Sequence, residues 1–201
     1  MDAHDKAVAR LAASWLLWYP DDEMVARLPD IRAAVSELPG AARAPLSAFI
    51  DWLGSTDVMQ VLREYVPTFD MRRKACPYLT YWTHGDTRNR GMAILHFKAA
   101  YLDAGFDAGD AELADHLAVV LEFAAVGDRL TGDALLAEHA AAIGLLQSAL
   151  ESVDSPYAQV LAAVTATLPH VTPEIAERMA QIATHGPPVE QVGLEPFGLQ
   201  T

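Results

Sequence analysis

Apolar residues recur along this chain every three or four positions, and glycines and prolines cut that rhythm into helix-length pieces. No stretch of β-branched residues alternates convincingly with polar ones, and no repeat of fixed period stands out. A chain written this way can bury its apolar stripes only by packing helix on helix. The expected fold is all-α, a single-domain helical bundle of about eight to ten helices at ordinary lengths. Residues 1–185 are expected to form the helical domain, and 186–201, with a Pro-Pro pair, glycines and Pro196, an irregular C-terminal tail.

The boundaries follow from caps and breakers. Asp2 can cap a first helix carrying Val8, Leu11, Ala12, Trp15 and Tyr19, which Pro20 ends, and Asp21 can cap the next. Leu46, Phe49, Ile50 and Leu53 make a stripe stopped at Gly54, and Ser55 to Tyr65 another, closed by Pro67. Asp86, after a Gly85 turn, is read as the cap of a helix to Ala104 bearing Ile94, Phe97, Lys98 and Tyr101. Leu113 to Ala125 is expected to be helical with Leu113 turned inward, and Asp133 to Glu151 one long helix with Leu135, His139, Ile143, Leu146 and Leu150 on a face. Ser155-Pro156 and Thr172-Pro173-Glu174 pair a cap with a first-turn proline. The Asp-rich stretch 103–110 is where the fold is expected to hinge.

The 201 residues suffice for one sizeable core. No apolar run is long enough to span a bilayer, and Met1-Asp2-Ala3-His4-Asp5 lacks the lead of a secretory signal, so the cytoplasm is the expected location. The single cysteine, Cys76, permits no internal disulfide, which fits a reducing compartment. A formal net charge of −13 argues against nucleic acid and against an anionic membrane surface. Charge is uneven: Arg72, Arg73, Lys74, Arg88, Arg90 and Lys98 cluster mid-chain, and beyond them only Arg129 and Arg178 are basic. There is no phosphate-binding glycine loop, no cysteine pair for zinc and no His-Glu-x-x-His, and the seven histidines are scattered. No catalytic residue, cofactor or metal is expected.

Two dense blocks stand apart from this scaffold. One is Glu64–Lys74 with Tyr78–Gly91, rich in aromatics and paired arginines; the other is Glu112–Phe123, an Asp-His pair feeding an apolar helix. Tyr-Val-x-Thr-Phe-Asp at 65–70, Tyr-Leu-Thr-Tyr at 78–81, Gly-Asp-Thr-Arg-x-Arg-Gly at 85–91 and Glu-Leu-x-Asp-His-Leu-x-Val-Val-Leu-Glu-Phe at 112–123 resemble the NarJ-type nitrate reductase delta subunits. That is a branch of the redox-enzyme maturation chaperones, beside the TorD and DmsD types. The match covers roughly the central third of the chain. The resemblance implies a non-catalytic cytoplasmic chaperone, a monomer or weak dimer. It would bind the N-terminal segment of the immature catalytic alpha subunit of a respiratory nitrate reductase, support molybdenum cofactor insertion before membrane docking, and be absent from the finished enzyme. The alternatives are a chaperone of a sister molybdoenzyme, a small-ligand or cofactor binder using Arg72, Arg73, Arg88 and Arg90, and a permanent structural subunit. Where the family usually has two prolines in the second block, this chain has Ala114 and Ala118, which would let that helix begin earlier, from Asp110.

The resemblance and the residue types nominate a client-peptide site of Tyr78, Tyr81, Trp82, Asp86, Arg88, Arg90, Gly91, Asp115, His116 and Phe123. Each has a plainer reading. Asp86 is first a helix cap, and Arg88 and Arg90 read equally as partners of nearby acids or as readers of peptide carboxylates and carbonyls. Gly91, costly inside a helix, would admit another backbone, of a packed helix or a peptide. Tyr78, Tyr81, Trp82 and Phe123 are core or the wall of a groove. Asp115 and His116 are a buried structural pair or a reader of the client beside that groove.

Overall fold

The computed structural model describes residues 1–71, 75–109, 111–168 and 172–188, so the expected basic triplet Arg72, Arg73, Lys74 and the tail from 189 lie outside the described residues. The described residues form eleven α-helices, one five-residue π-helical segment and no strand beyond an isolated antiparallel bridge. They are α1 (Ala3–Leu17), α2 (Asp22–Ser36), α3 (Gly40–Ser55), α4 (Val58–Tyr65), α5 (Leu79–His84), α6 (Arg88–Asp103), α7 (Leu117–Val126), α8 (Arg129–Glu138), α9 (Ala140–Glu151), α10 (Tyr157–Thr167) and α11 (Pro173–His185). The all-α expectation holds. The two helices beyond the sequence reading are short α5 and a division of the long Asp133–Glu151 helix into parts of α8 and α9.

Local chemistry explains most starts. Asp2 and Asp5 form a reciprocal capping box on α1, with each side chain taking the other's backbone N–H at 2.8 and 3.2 Å. Asp21 caps α2 by accepting from Met24 N, and Thr172 caps α11 by accepting from Ile175 N. Helix α7 carries one charged residue, Glu122, and is otherwise apolar, with Leu117, Ala118, Val119, Val120, Leu121, Phe123 and Ala124 all buried, and so it sits at the centre. Helix α1 lies along it, with Ser14 Oγ donating to Ala118 O at 2.8 Å. Helix α10 closes the other side of α1 and packs on α3 and α9, while α8 crosses α7. Gly132 makes that crossing possible, because a β-carbon there would run into the backbone of Ala124.

Several boundaries differ from the sequence reading, each for a physical reason. Helix α1 stops at Leu17, leaving Tyr19 outside it: Trp18 is already extended, at φ −68° and ψ 161°, two residues ahead of Pro20. Pro67 does not close the chain after α4; the backbone continues as the wide π turn Val66–Asp70. The long helix expected from Asp133 to Glu151 breaks at His139, whose buried ring turns back to Leu135 O at 3.0 Å and packs on Phe97. Ser155 is not a cap: its hydroxyl donates to Glu64 at 2.7 Å, tying α10 to α4, and Pro156 occupies the cap position. The stretch expected to hinge contains turns at Gly105 and Gly109, both at positive φ, and Asp110 lies outside the described residues.

Candidate functional site

The two sequence blocks meet. Tyr78 and His116 form the isolated antiparallel bridge, flanked by Leu79 N donating to Asp115 O at 3.0 Å and Leu117 N donating to Pro77 O at 2.9 Å. This clip fixes where α7 begins. The helix starts at Leu117, not at Asp110 or Leu113, although alanine replaces the family prolines. His116 is the N-cap, and its Nδ1 accepts the Ala118 N–H at 3.2 Å. Leu113, expected inward, is exposed on the preceding turn.

Asp115 is fully buried. Its Oδ2 accepts from Thr80 N at 3.1 Å and from Thr80 Oγ1 at 2.5 Å, while Oδ1 has no hydrogen-bond partner among the described residues. Thr80 Oγ1 in turn accepts from Arg90 Nε at 3.4 Å. The Arg90 guanidinium stands 5.6 Å from the Tyr78 ring centre and 6.0 Å from that of Tyr81, and Nη1 pairs with Asp86 at 3.3 Å. Asp86 is therefore an ion-pair partner and not the cap of α6; Thr87 holds that position and makes no side-chain cap. Gly85 does supply the turn, at φ 59°. Tyr78 Oη donates to Glu112 at 2.7 Å, and the His116 ring stacks on Trp18 at 5.7 Å.

Of the nominated residues, Tyr78, Tyr81, Asp86, Arg90, Asp115 and His116 thus belong to one connected corner. Trp82 is buried, its Nε1 donating to Cys76 O at 2.9 Å. Phe123 is wholly core, packed against Tyr101 and Phe106. Arg88 is exposed on the first turn of α6. Gly91 is also exposed, and a β-carbon there would meet nothing among the described residues within 4 Å, so no packed helix among them accounts for it. Burial pushes the Cys76 thiol up to about 11, leaving it protonated and poorly nucleophilic at neutral pH.

A trough adjoins this corner. It has a volume of about 420 Å³ and is lined by Tyr101, Leu102, Phe106, Glu112, Leu113 and Ala114 among others. Tyr101 Oη donates to Ala114 O at 2.6 Å and so fixes one wall to the other. Glu112 is shared, facing the trough and accepting from Tyr78. The sequence reading missed Leu102, Phe106 and Leu113. Their signal was there as apolar residues on both sides of the glycine turns at 105 and 109.

Burial lowers the pKa of both His116 and His139, neighbouring carboxylates opposing it only in part. Their folded-state values therefore lie below the unfolded value of about 6.5. Above that pH both states hold neutral imidazoles and the contribution is complete; below it the unfolded chain takes up protons that the folded chain refuses. Protonated His116 would also lose its hold on the Ala118 N–H. The urea midpoint is expected to be flat above pH of about 6.5 and to fall as the pH drops below it, with a shallower fall in His116→Gln.

A family model described as nitrate reductase delta subunit matches residues 36–163. A probable nitrate reductase molybdenum cofactor assembly chaperone NarJ of Bacillus subtilis is 34% identical over 172 residues, 85% of this chain and 94% of that protein. The nitrate reductase molybdenum cofactor assembly chaperone NarJ of Escherichia coli K12 is 30% identical over 142 residues, 71% of this chain and 58% of its own length. The nitrate reductase-like protein NarX of Mycobacterium tuberculosis is 39% identical over 155 residues, 77% of this chain but only 23% of that longer protein.

Proposed function

Because the chain belongs to the nitrate reductase delta subunit family, we propose that it is an assembly chaperone for a molybdenum-containing respiratory nitrate reductase. It acts in the cytoplasm on the immature catalytic alpha subunit, supports cofactor insertion before membrane docking, and neither catalyses a reaction nor stays in the finished enzyme. The part recognised is the N-terminal segment of the client. Residues 1–185 are the working domain and 186–201 a tail.

The observation that carries the peptide reading is the open apolar trough joined through Glu112 to the Tyr78–Arg90–Asp115–His116 corner. A short amphipathic segment would fold into it with its apolar face on Leu102, Phe106 and Leu113. Tyr78, Tyr81, Asp86, Arg88 and Arg90 would flank its polar side. Asp115, His116, Trp82 and Phe123, being buried, hold this wall in shape. Ordering a free segment costs about 2–5 kcal/mol of the gross interaction, which keeps affinity moderate and release feasible. The −13 net charge favours a basic client end and salt-sensitive association.

The reading of the arginines as a cofactor cradle has less support. Arg90 is already engaged by Asp86, Thr80 and two tyrosine rings. Calorimetric titration of the full chain with a peptide of the catalytic subunit's first residues is expected to give saturable one-to-one binding, weakened by salt. Equal binding of a scrambled peptide would overturn the reading. Stoichiometric cofactor on the purified chain without client would favour the cradle instead. Binding only to the corresponding peptide of another molybdoenzyme would reassign the client.

A further inference from the structure

Helix α6 presents an apolar face that nothing among the described residues covers. Met92, Leu95 and Leu102 are 69%, 54% and 79% exposed, and Ala99 is exposed between them. The four follow at steps of three, four and three residues, the spacing of the paired apolar positions in a two-stranded coiled coil. Phe97 and Tyr101, on the opposite side of the helix, are buried in the protein's own core. A stripe needed only for the fold would point inward; this one points out along most of the helix.

What fits this face is another copy of it. Leu95 and Leu102 hold the position that leucine takes in parallel pairs, and small Ala99 lets two helices approach. The flanks carry opposite charges: Lys98 on one, Asp103 on the other, both exposed and neither in an ion pair among the described residues. They lie five residues apart, the separation at which flanking residues of parallel helices meet across the seam. A two-fold axis then makes the Lys98–Asp103 pair twice, once on each side. Antiparallel helices would instead leave Lys98 opposite Gly91, with no carboxylate to meet. Gly91 flanks the same stripe. A glycine inside a helix is costly, no described residue comes within 4 Å of where its β-carbon would lie, and a second backbone drawn close along the seam accounts for it. Arg88, one turn before Met92, would stand near its counterpart at the open end of the seam, which keeps the association weak.

We propose that two copies of the chain pair in parallel through the outer faces of α6, with Met92, Leu95, Ala99 and Leu102 forming the seam and Lys98 of each copy meeting Asp103 of the other. The 16 residues of α6 give a seam of about 24 Å. Over so short a length the dimer forms reversibly and comes apart on dilution. Lys98 and Leu102 also line the trough, so pairing and a client segment compete there; this consequence alone rests on the function proposed above.

Sedimentation equilibrium of the full chain, with no peptide present, tests the pairing independently of any client. The chain is expected to pass reversibly from monomer to dimer as its concentration rises towards roughly 1 mM. Leu95→Asp, outside the trough, is expected to raise the dimer Kd at least about tenfold at unchanged helical content. Asp103→Lys sets lysine against lysine across the seam and is expected to raise it several-fold, and adding Lys98→Asp is expected to restore it. A chain that stays monomeric throughout would overturn the proposal, and so would a dimer that Leu95→Asp leaves intact. A double variant no tighter than Asp103→Lys alone would overturn the parallel register.

Discussion

Asp133→Ala is expected to lower the unfolding free energy by about 3 kcal/mol, the lower end for removing one partner of a buried ion pair. Arg10 on α1 is 2% exposed, and its Nη1 meets Asp133 Oδ1 on α8 at 2.6 Å. Its Nε and Nη2 donate to Thr167 Oγ1 and O on α10 at 3.2 and 3.4 Å. One guanidinium therefore joins three helices. Without Asp133 the charge stays largely buried and keeps only the neutral Thr167 acceptors within the protein. Asp133 is itself 36% exposed, so water can partly replace it, which sets the estimate low in the range. For a chain of this size the loss corresponds to a fall in Tm of roughly 6–12 °C. Arg10→Met with Asp133→Ala removes charge and partner together and is expected to recover most of it. A single variant within about 0.5 kcal/mol of the parent, an ordinary surface effect, would mean that the pair does not hold this junction.

That junction was invisible in the sequence. Arg10 falls among Ala9, Ala12 and Ala13 on the apolar side of α1, where one cation reads as a boundary residue, and its partner is far along the chain. The helices themselves were legible wherever a cap residue and an apolar period coincide, as at Asp2, Asp21 and Thr172. The break at His139 was not, because Leu135, His139, Ile143 and Leu146 stay in phase across it. Only tertiary packing against Phe97 reveals why the ring turns back. The candidate site was half legible. Its two blocks stood out by their aromatics, arginines and Asp-His pair before their resemblance to a family gave them a role, and the backbone clip between Pro77–Leu79 and Asp115–Leu117 shows what brings them together. Periodicity does not tell a buried aromatic from a groove wall, so Phe123 and Tyr78 looked alike although one is core and the other lies at the surface of the corner. Nor could Asp86 be separated from Thr87 as a cap, since both residue types cap well; in the fold Thr87 takes the cap position and Asp86 pairs with Arg90.

The second large effect concerns the trough. Leu102→Asp and Leu113→Asp are each expected to weaken binding of the client peptide by between about 10- and 100-fold. Burying a leucine side chain contributes about 1.5–3 kcal/mol, and each 1.4 kcal/mol is about tenfold in Kd. A carboxylate in its place must also be desolvated by an apolar face. Both leucines are exposed in the free chain, so stability should change by less than about 0.5 kcal/mol. That separates them from Phe123→Ala, where a cavity in the core would cost about 3–5 kcal/mol and confound any binding measurement. Leu113→Asp is the cleaner of the two, because Leu113 lines the trough from the turn ahead of α7, whereas Leu102 is the more exposed and sits at the end of α6. If calorimetry finds peptide affinity unchanged in Leu113→Asp and Leu102→Asp while Arg90→Ala abolishes it, the client lies across the Tyr78–Arg90 side of the corner, and the trough is no part of its path.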